Sequence, residues 1–155
     1  MVAKKKGGGS SLIRSQVVTV RLDPKLKFAA ELAARKQRRT LSSFIEWAVE
    51  EAVAHIEVSN GVFINMVMNQ VWDVEEADRF VKLALNFPEL LSYEEERLWK
   101  VMTEYSPFWQ ESYGGENGEI YEKSARYDVI RNNWETLKKI VSGEARTKDL
   151  TEVPF

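Results

Sequence analysis

One short strand without a partner constrains this chain more than anything else in it. Val17-Val-Thr-Val-Arg-Leu22 alternates β-branched and apolar residues, placing Val18, Val20 and Leu22 on one face and Val17, Thr19 and Arg21 on the other. Asp23-Pro24 follows, the N-cap and first-position pair of a helix. That helix is expected to reach about Gln37, with Leu26, Ala29, Ala30, Ala33 and Ala34 on its apolar side. Lys36 to Arg39 forms a basic turn. From Thr40 a second helix carries Leu41, Phe44, Ile45, Ala48, Val49, Ala52, Val53 and Ile56 at helical spacing. A lone strand leaves its backbone groups unpaired, and two short helices bury too little to stand alone. The simplest repair is a two-fold dimer, the two strands pairing antiparallel above four helices. Val18, Val20, Leu22, Leu26, Phe44, Ile45, Ala48 and Val49 would then form the dimer core.

Val18-Thr-Val-Arg-Leu-Asp-Pro24, the helix, the basic turn and Thr40-Leu-Ser-Ser-Phe-Ile-Glu-Trp-Ala-Val49 resemble the ribbon-helix-helix DNA-binding family of the Arc, MetJ and CopG type. The likeness covers residues 16–58. One departure is Arg38, in a turn where the family often has glycine. The resemblance implies a paired ribbon that enters the major groove. Arg21 would make a bidentate contact to guanine, Thr19 a hydrogen bond or a touch on a thymine methyl, and Val17 an apolar contact. Thr40, Leu41 and Ser42 stand at the helix start that holds a backbone phosphate in such proteins. Lys36, Arg38 and Arg39 lie just before it, placed to neutralise phosphates. Each residue also has a plain structural reading. Arg21 and Thr19 suit the solvent face of any edge strand, Thr40 caps its helix with or without phosphate, and charged turns are common.

Charge is distributed in keeping with this reading. Residues 1–40 hold eleven Lys/Arg against two acids, whereas residues 59–155 hold eleven against eighteen, within an overall charge of -2. A basic end joined to an acidic one suits a nucleic-acid-binding unit followed by a part that does not lie along the nucleic acid. The chain has no cysteine and a single histidine, His55. That composition argues against disulfides and against zinc or nickel sites, so no metal or other cofactor is expected. Lys4-Lys-Lys6 precedes Gly and Ser where a signal peptide needs an apolar core, and no run is long enough for a bilayer. A cytoplasmic location and no membrane contact are expected.

The remaining segments read as follows. Residues 1–15 form a basic arm, suited to reach a phosphate backbone or to serve as a solubilising tail. Ser59-Asn60-Gly61 closes the second helix and marks a domain boundary. Val62 to Val71 is apolar and of either type, with a helix from about Asn65. Asp73-Val-Glu-Glu76 suggests a capping box for a helix to about Asn86, stopped by Pro88. Ser92-Tyr-Glu-Glu95 opens another, with Leu98, Trp99 and Met102 inward, stopped by Pro107. Phe108 to Gly118 reads as loop, and a long helix is expected from about Glu119 to Ser142, with Gly143 as its stop. Residues 144–155 read as a loose tail. The expected fold is mostly α with one short strand per chain: a dimerising unit at 16–58 and a helical domain at 62–143. Trp72, Phe80, Trp99, Phe108, Trp109 and Trp134 are read mainly as a core, with a ligand pocket as the alternative.

The function expected from these features is that of a sequence-specific transcriptional regulator, a repressor that binds double-stranded DNA as a homodimer. The helical domain would gather dimers into higher oligomers or receive a protein partner. Two alternatives stay open: the antitoxin of a toxin–antitoxin pair, and a plasmid or phage accessory factor at a transfer or partition origin. A third, that the helical domain senses a small molecule, has only the aromatic count behind it. No nucleophile-and-base pair, phosphate-cradling glycine loop or paired acid/base set is present, so catalysis is not expected. Glu94-Glu-Glu96 suits the first turn of a helix and needs no catalytic reading.

Overall fold

Local chemistry sets where the helices begin and end. The computed structural model describes residues 16–110 and 124–152, and these divide into two compact units between Glu50 and Glu51. In the first unit, Asp23 Oδ1 accepts from the amides of Lys25 at 2.9 Å and Leu26 at 3.4 Å. With Pro24 in the first turn, this starts α1 (Pro24–Lys36). Thr40 Oγ1 accepts from the Ser43 amide at 3.1 Å and caps α2 (Leu41–Ala54). The division between the units falls within α2. Residues 16–22 carry no regular secondary structure. This departs from the strand expected there, because a ladder needs a second strand and none lies beside it in the single chain.

The second unit contains the only sheet among the described residues. After α2 the chain forms a hairpin of β1 (Glu57–Ser59) and β2 (Val62–Phe63), with Ser59 opposite Val62. Asn60 and Gly61 both have positive φ, 39° and 83°, the requirement of a two-residue type I′ turn. Ser59-Asn60-Gly61 is therefore a hairpin turn and not the end of a helix. Asn-Gly between short apolar runs carries that signal, and β1 follows so closely that the second helix stops at Ala54, short of Ile56. His55 lies just past the helix, its Nδ1 2.6 Å from the Glu51 carbonyl oxygen.

Four helices complete this unit: α3 (Ile64–Val71), α4 (Glu76–Asn86), α5 (Tyr93–Glu104) and α6 (Tyr127–Ser142). The Ser92–Glu95 capping box forms as expected, Glu95 Oε2 accepting the Ser92 amide at 2.7 Å. The box expected at Asp73–Glu76 does not form. Asp73 instead accepts from the Glu75 amide and, through Oδ2, from Lys82 Nζ at 2.8 Å. The hydrogen bond from Lys82 is the main reason its carboxyl titrates below the usual aspartate range. Short 3-10 turns at Pro88–Leu90 and Ser106–Phe108 follow α4 and α5, each carrying the proline foreseen as a stop.

The core joins α4, α5 and α6. Phe80, Val81, Leu98, Met102, Phe108, Val129, Ile130, Trp134 and Leu137 are all buried there. Phe80 packs on Trp134 and Trp99, and Trp99 on Trp109, at ring separations of 5.4, 6.2 and 5.7 Å. A smaller cluster of Val67, Val71 and Phe87 sits beneath the hairpin residues Val58 and Val62. Across α4 and α6, buried Asp78 receives Nε of Arg131 at 2.9 Å and a second bond from its NH2. That pairing holds the guanidinium above its ordinary pKa.

Two expected segments differ. The last helix begins at Tyr127, not near Glu119, because Trp109 and Ala125 form a β-bridge that occupies the backbone just before it. Residues 111–123, which include most of the expected loop and the start of the expected helix, lie outside the described residues, as do 1–15 and 153–155. The expected loose tail is anchored through Leu150, which is buried in the main core. Asn133, itself buried, accepts the Thr151 amide at 2.8 Å and donates to the Thr151 carbonyl at 2.8 Å.

Asn133→Ala should therefore cost about 1–3 kcal/mol, since two part-buried hydrogen bonds to Thr151 are lost. Urea unfolding measures this, and the Thr151 amide should exchange faster. A second expectation concerns acid. The folded pKa of Asp73 lies below its unfolded value, so its contribution is present above the unfolded pKa and fades as pH falls through the folded one. Asp73→Asn should lower stability at neutral pH and flatten its fall below pH about 4, read from melting temperature against pH.

Candidate functional site

The residues expected to meet DNA all lie in the first unit and all are accessible except Leu41, which is half-buried. Val17 is 98% exposed, and Thr19 and Arg21 are open as well. The opposite face of the segment is equally bare: Val18 is 79% and Val20 57% exposed, and Leu22 and Leu26 are exposed too. Among the expected core residues of the second helix, Phe44, Ile45 and Ala48 are half-buried and Val49 is exposed. Ala34 is the one buried apolar residue in this unit among those described. Phe28 and Leu32 add to the open apolar surface of α1. Apolar patches on small units are often places of association.

The turn between α1 and α2 brings the second group together. The Arg39 amide donates to the Ala34 carbonyl at 2.9 Å and the Arg38 amide to the Arg35 carbonyl at 3.1 Å, the paired bonds of a Schellman motif. Arg38 takes φ of 56°, the left-handed value that this motif demands. The departure from glycine noted in the sequence thus leaves the turn geometry intact and places strain on an arginine. Immediately beyond it, the amides of Leu41 and Ser42 have no acceptor among the described residues, as the first turn of a helix leaves them.

Lys36, Arg38 and Arg39 precede that helix start in the chain, and none of them, nor Arg21, has an acidic partner among the described residues. The Arg39 guanidinium lies over the Trp47 ring, 5.5 Å from its centre, and Trp47 packs on Phe44 at 5.6 Å. Trp47, which the sequence left without a role, thus orients one of the turn cations. The spacing Arg39 to Trp47 is two helical turns and was available as a signal. Free amides at a helix start that follows directly on a basic turn form an arrangement suited to an anion such as a phosphate.

A second concavity occupies the other unit. A cleft of about 720 Å³ is bounded by residues of α3, α4, α5 and α6, with Val71, Phe80, Leu83, Leu98 and Trp134 among its apolar lining. Of the aromatic set noted in the sequence, Trp72, Phe80 and Trp134 reach this cleft, while Trp99, Phe108 and Trp109 belong to the core. Lys138 lies at its edge, held above the usual lysine pKa first by Glu135 and also by Glu76. No group of three His, Cys, Asp or Glu suited to a metal ion occurs among the described residues. Nor is any helix there long and apolar enough to cross a membrane. Comparison of the chain with protein-family models, with curated proteins and with solved structures gives no match.

Arg38→Gly should stabilise the first unit by up to about 1 kcal/mol, the relief of a left-handed residue less the added chain entropy of glycine. Denaturant midpoints compare the two proteins. A loss of stability would mean that the Arg38 side chain makes contacts worth more than the strain.

Proposed function

We propose that the protein is a sequence-specific DNA-binding regulator, a repressor in type, whose first unit is one half of a ribbon-helix-helix dimer. The observation that carries the reading is the bare apolar surface of Val18, Val20, Leu22, Leu26 and Val49, together with a helix start whose first amides are free and which follows Lys36, Arg38 and Arg39 in the chain. A stable small domain does not leave Val18, Val20, Leu26, Phe28 and Val49 in water without a partner. A second copy supplies one economically, because an unpaired segment in each chain completes the other's backbone hydrogen bonds. Pairing would turn Val18, Val20 and Leu22 inward and leave Val17, Thr19 and Arg21 outward, toward base edges in the major groove. The Thr40 cap and the amides of Leu41 and Ser42 would then seat a phosphate and fix the register.

The second unit has its own buried core and a pinned C-terminal segment. This favours a folded module that gathers dimers over a tail that orders on a toxin. Two ribbons side by side read a longer site than one, so such a module raises specificity through effective concentration.

Two variants test the reading. Val20→Asp leaves an exposed position exposed in a monomer but places a charge inside the proposed dimer. Sedimentation should show the wild-type chain at twice 17.9 kDa or a multiple of that, and Val20→Asp at a lower mass and without DNA affinity, its second unit still folded. A Val20→Asp protein that keeps both the wild-type mass and the wild-type DNA affinity would overturn the ribbon. Arg21→Ala should keep the dimer and its non-specific affinity but reduce discrimination between cognate and random duplex by roughly tenfold or more. The cognate site comes from selection on genomic fragments. Its position over a promoter or at an origin separates repression from an accessory role, and its affinity should fall steeply with salt.

A further inference from the structure

The cleft of the second unit is not used by the proposed DNA-binding surface, and its chemistry is specific enough to name an occupant. Its volume of about 720 Å³ lies in the range of small-molecule sites. The floor is apolar and largely buried: Val71, Phe80, Leu98 and Trp134 are each below 10% exposed. At one side stands Trp72, 65% exposed, with the Arg79 guanidinium over its ring at 4.9 Å. Arg79 NH1 donates to the carbonyls of Asp73 at 2.7 Å and Val74 at 3.3 Å. These contacts fix the plane of the guanidinium. Nε and NH2 have no partner among the described residues. A held guanidinium with spare donors, beside an apolar floor, is the arrangement that receives a planar carboxylate.

The acids in the lining do not reverse this. Glu76 is shared with Lys138 at 3.5 Å, and Glu95 spends its carboxylate on the Ser92 amide, which leaves Glu94 without a partner among the described residues. A cationic ligand is disfavoured for a further reason. Arg79 already covers the Trp72 ring, and Lys138 stands over the Trp134 ring at 5.8 Å, so both indole faces already carry a cation.

We propose that this cleft binds a small apolar molecule bearing one carboxylate, its acid group on Arg79 beside Trp72 and its hydrocarbon or aromatic part against Phe80, Leu83 and Leu98. The inference stands apart from DNA binding, and neither depends on the other.

The test is calorimetric titration of the full-length chain with octanoate, 4-phenylbutanoate and 2-naphthoate, alongside their primary amides and 4-phenylbutylamine. At least one acid should bind saturably with one molecule per chain, and its amide roughly tenfold or more weaker, as expected for loss of a charge-assisted pair. Arg79→Gln should reduce the acid to the level of its amide while the protein stays folded, as its circular dichroism reports. Arg79→Lys, which keeps the charge but not the fork, should also weaken the acid. It serves as the test should Arg79→Gln fail to fold. Absence of saturable binding by all three acids would overturn the proposal, as in a cleft covered by a protein partner or a second copy. So would equal affinity for acid and amide, preference for the amine, or unchanged acid affinity in a folded Arg79 variant.

Discussion

Burial is divided unequally along this chain, and most of its structural logic follows from that division. Of the seventeen buried apolar residues among those described, Ala34 alone precedes residue 50. The first unit nevertheless has well-made helix ends, with Asp23 and Thr40 as caps and a Schellman turn through Arg38. Local hydrogen bonds and propensity thus shape its helices, but they do not supply the burial that offsets chain entropy. In the single chain Val18, Val20, Leu26 and Val49 stay in water, and the strand-like alternation of residues 17–22 coexists with an irregular backbone.

The second unit solves the same problem within itself. Its short helices are individually marginal, and none of them has more than sixteen residues. They are held by contacts that cross them. Phe80 on α4 meets Trp134 on α6 and Trp99 on α5, so one aromatic side chain links three helices. Arg131 reaches Asp78 across 53 residues of sequence. A carboxylate that is 4% exposed is tolerated only because two N–H groups of the guanidinium meet it. Asn133 plays a similar part for the C-terminal segment, since its amide satisfies both backbone groups of Thr151. The same helices leave a cleft where α3 departs from the main core, and Trp72 and Arg79 stand on that seam.

Where the sequence was legible, the deciding interaction was local. The Asp23-Pro24 start, the Ser92–Glu95 box, the stops at Pro88 and Pro107 and the closure at Gly143 all involve residues a few positions apart. Asn60-Gly61 is a different case. Its hairpin signal is local as well, but the same residues also end helices, and the three-residue strand before them is too short to declare itself by alternation. Asp73 misled for another reason: a cap residue can be drawn away by a distant cation, here Lys82. The start of α6 was misplaced because Trp109 and Ala125 pair, and a bridge between segments with a long excursion between them leaves no pattern in either.

The sequence by itself determined the starts of α1, α2 and α5, most of the helix stops and the charge asymmetry, because these rest on spacing, capping and composition. Of the candidate interface, Arg21, Lys36, Arg38, Arg39 and the Thr40 cap could all be named from order alone; the orientation of Arg39 by Trp47 could not. Tertiary structure alone decided that the tail is anchored, that Asp78 and Arg131 pair, and that three of the six aromatics reach a cleft while the others fill a core. The physical reason is distance along the chain. Hydrogen bonds within a turn are written in neighbouring residues, whereas burial and ion pairing depend on which helix faces which.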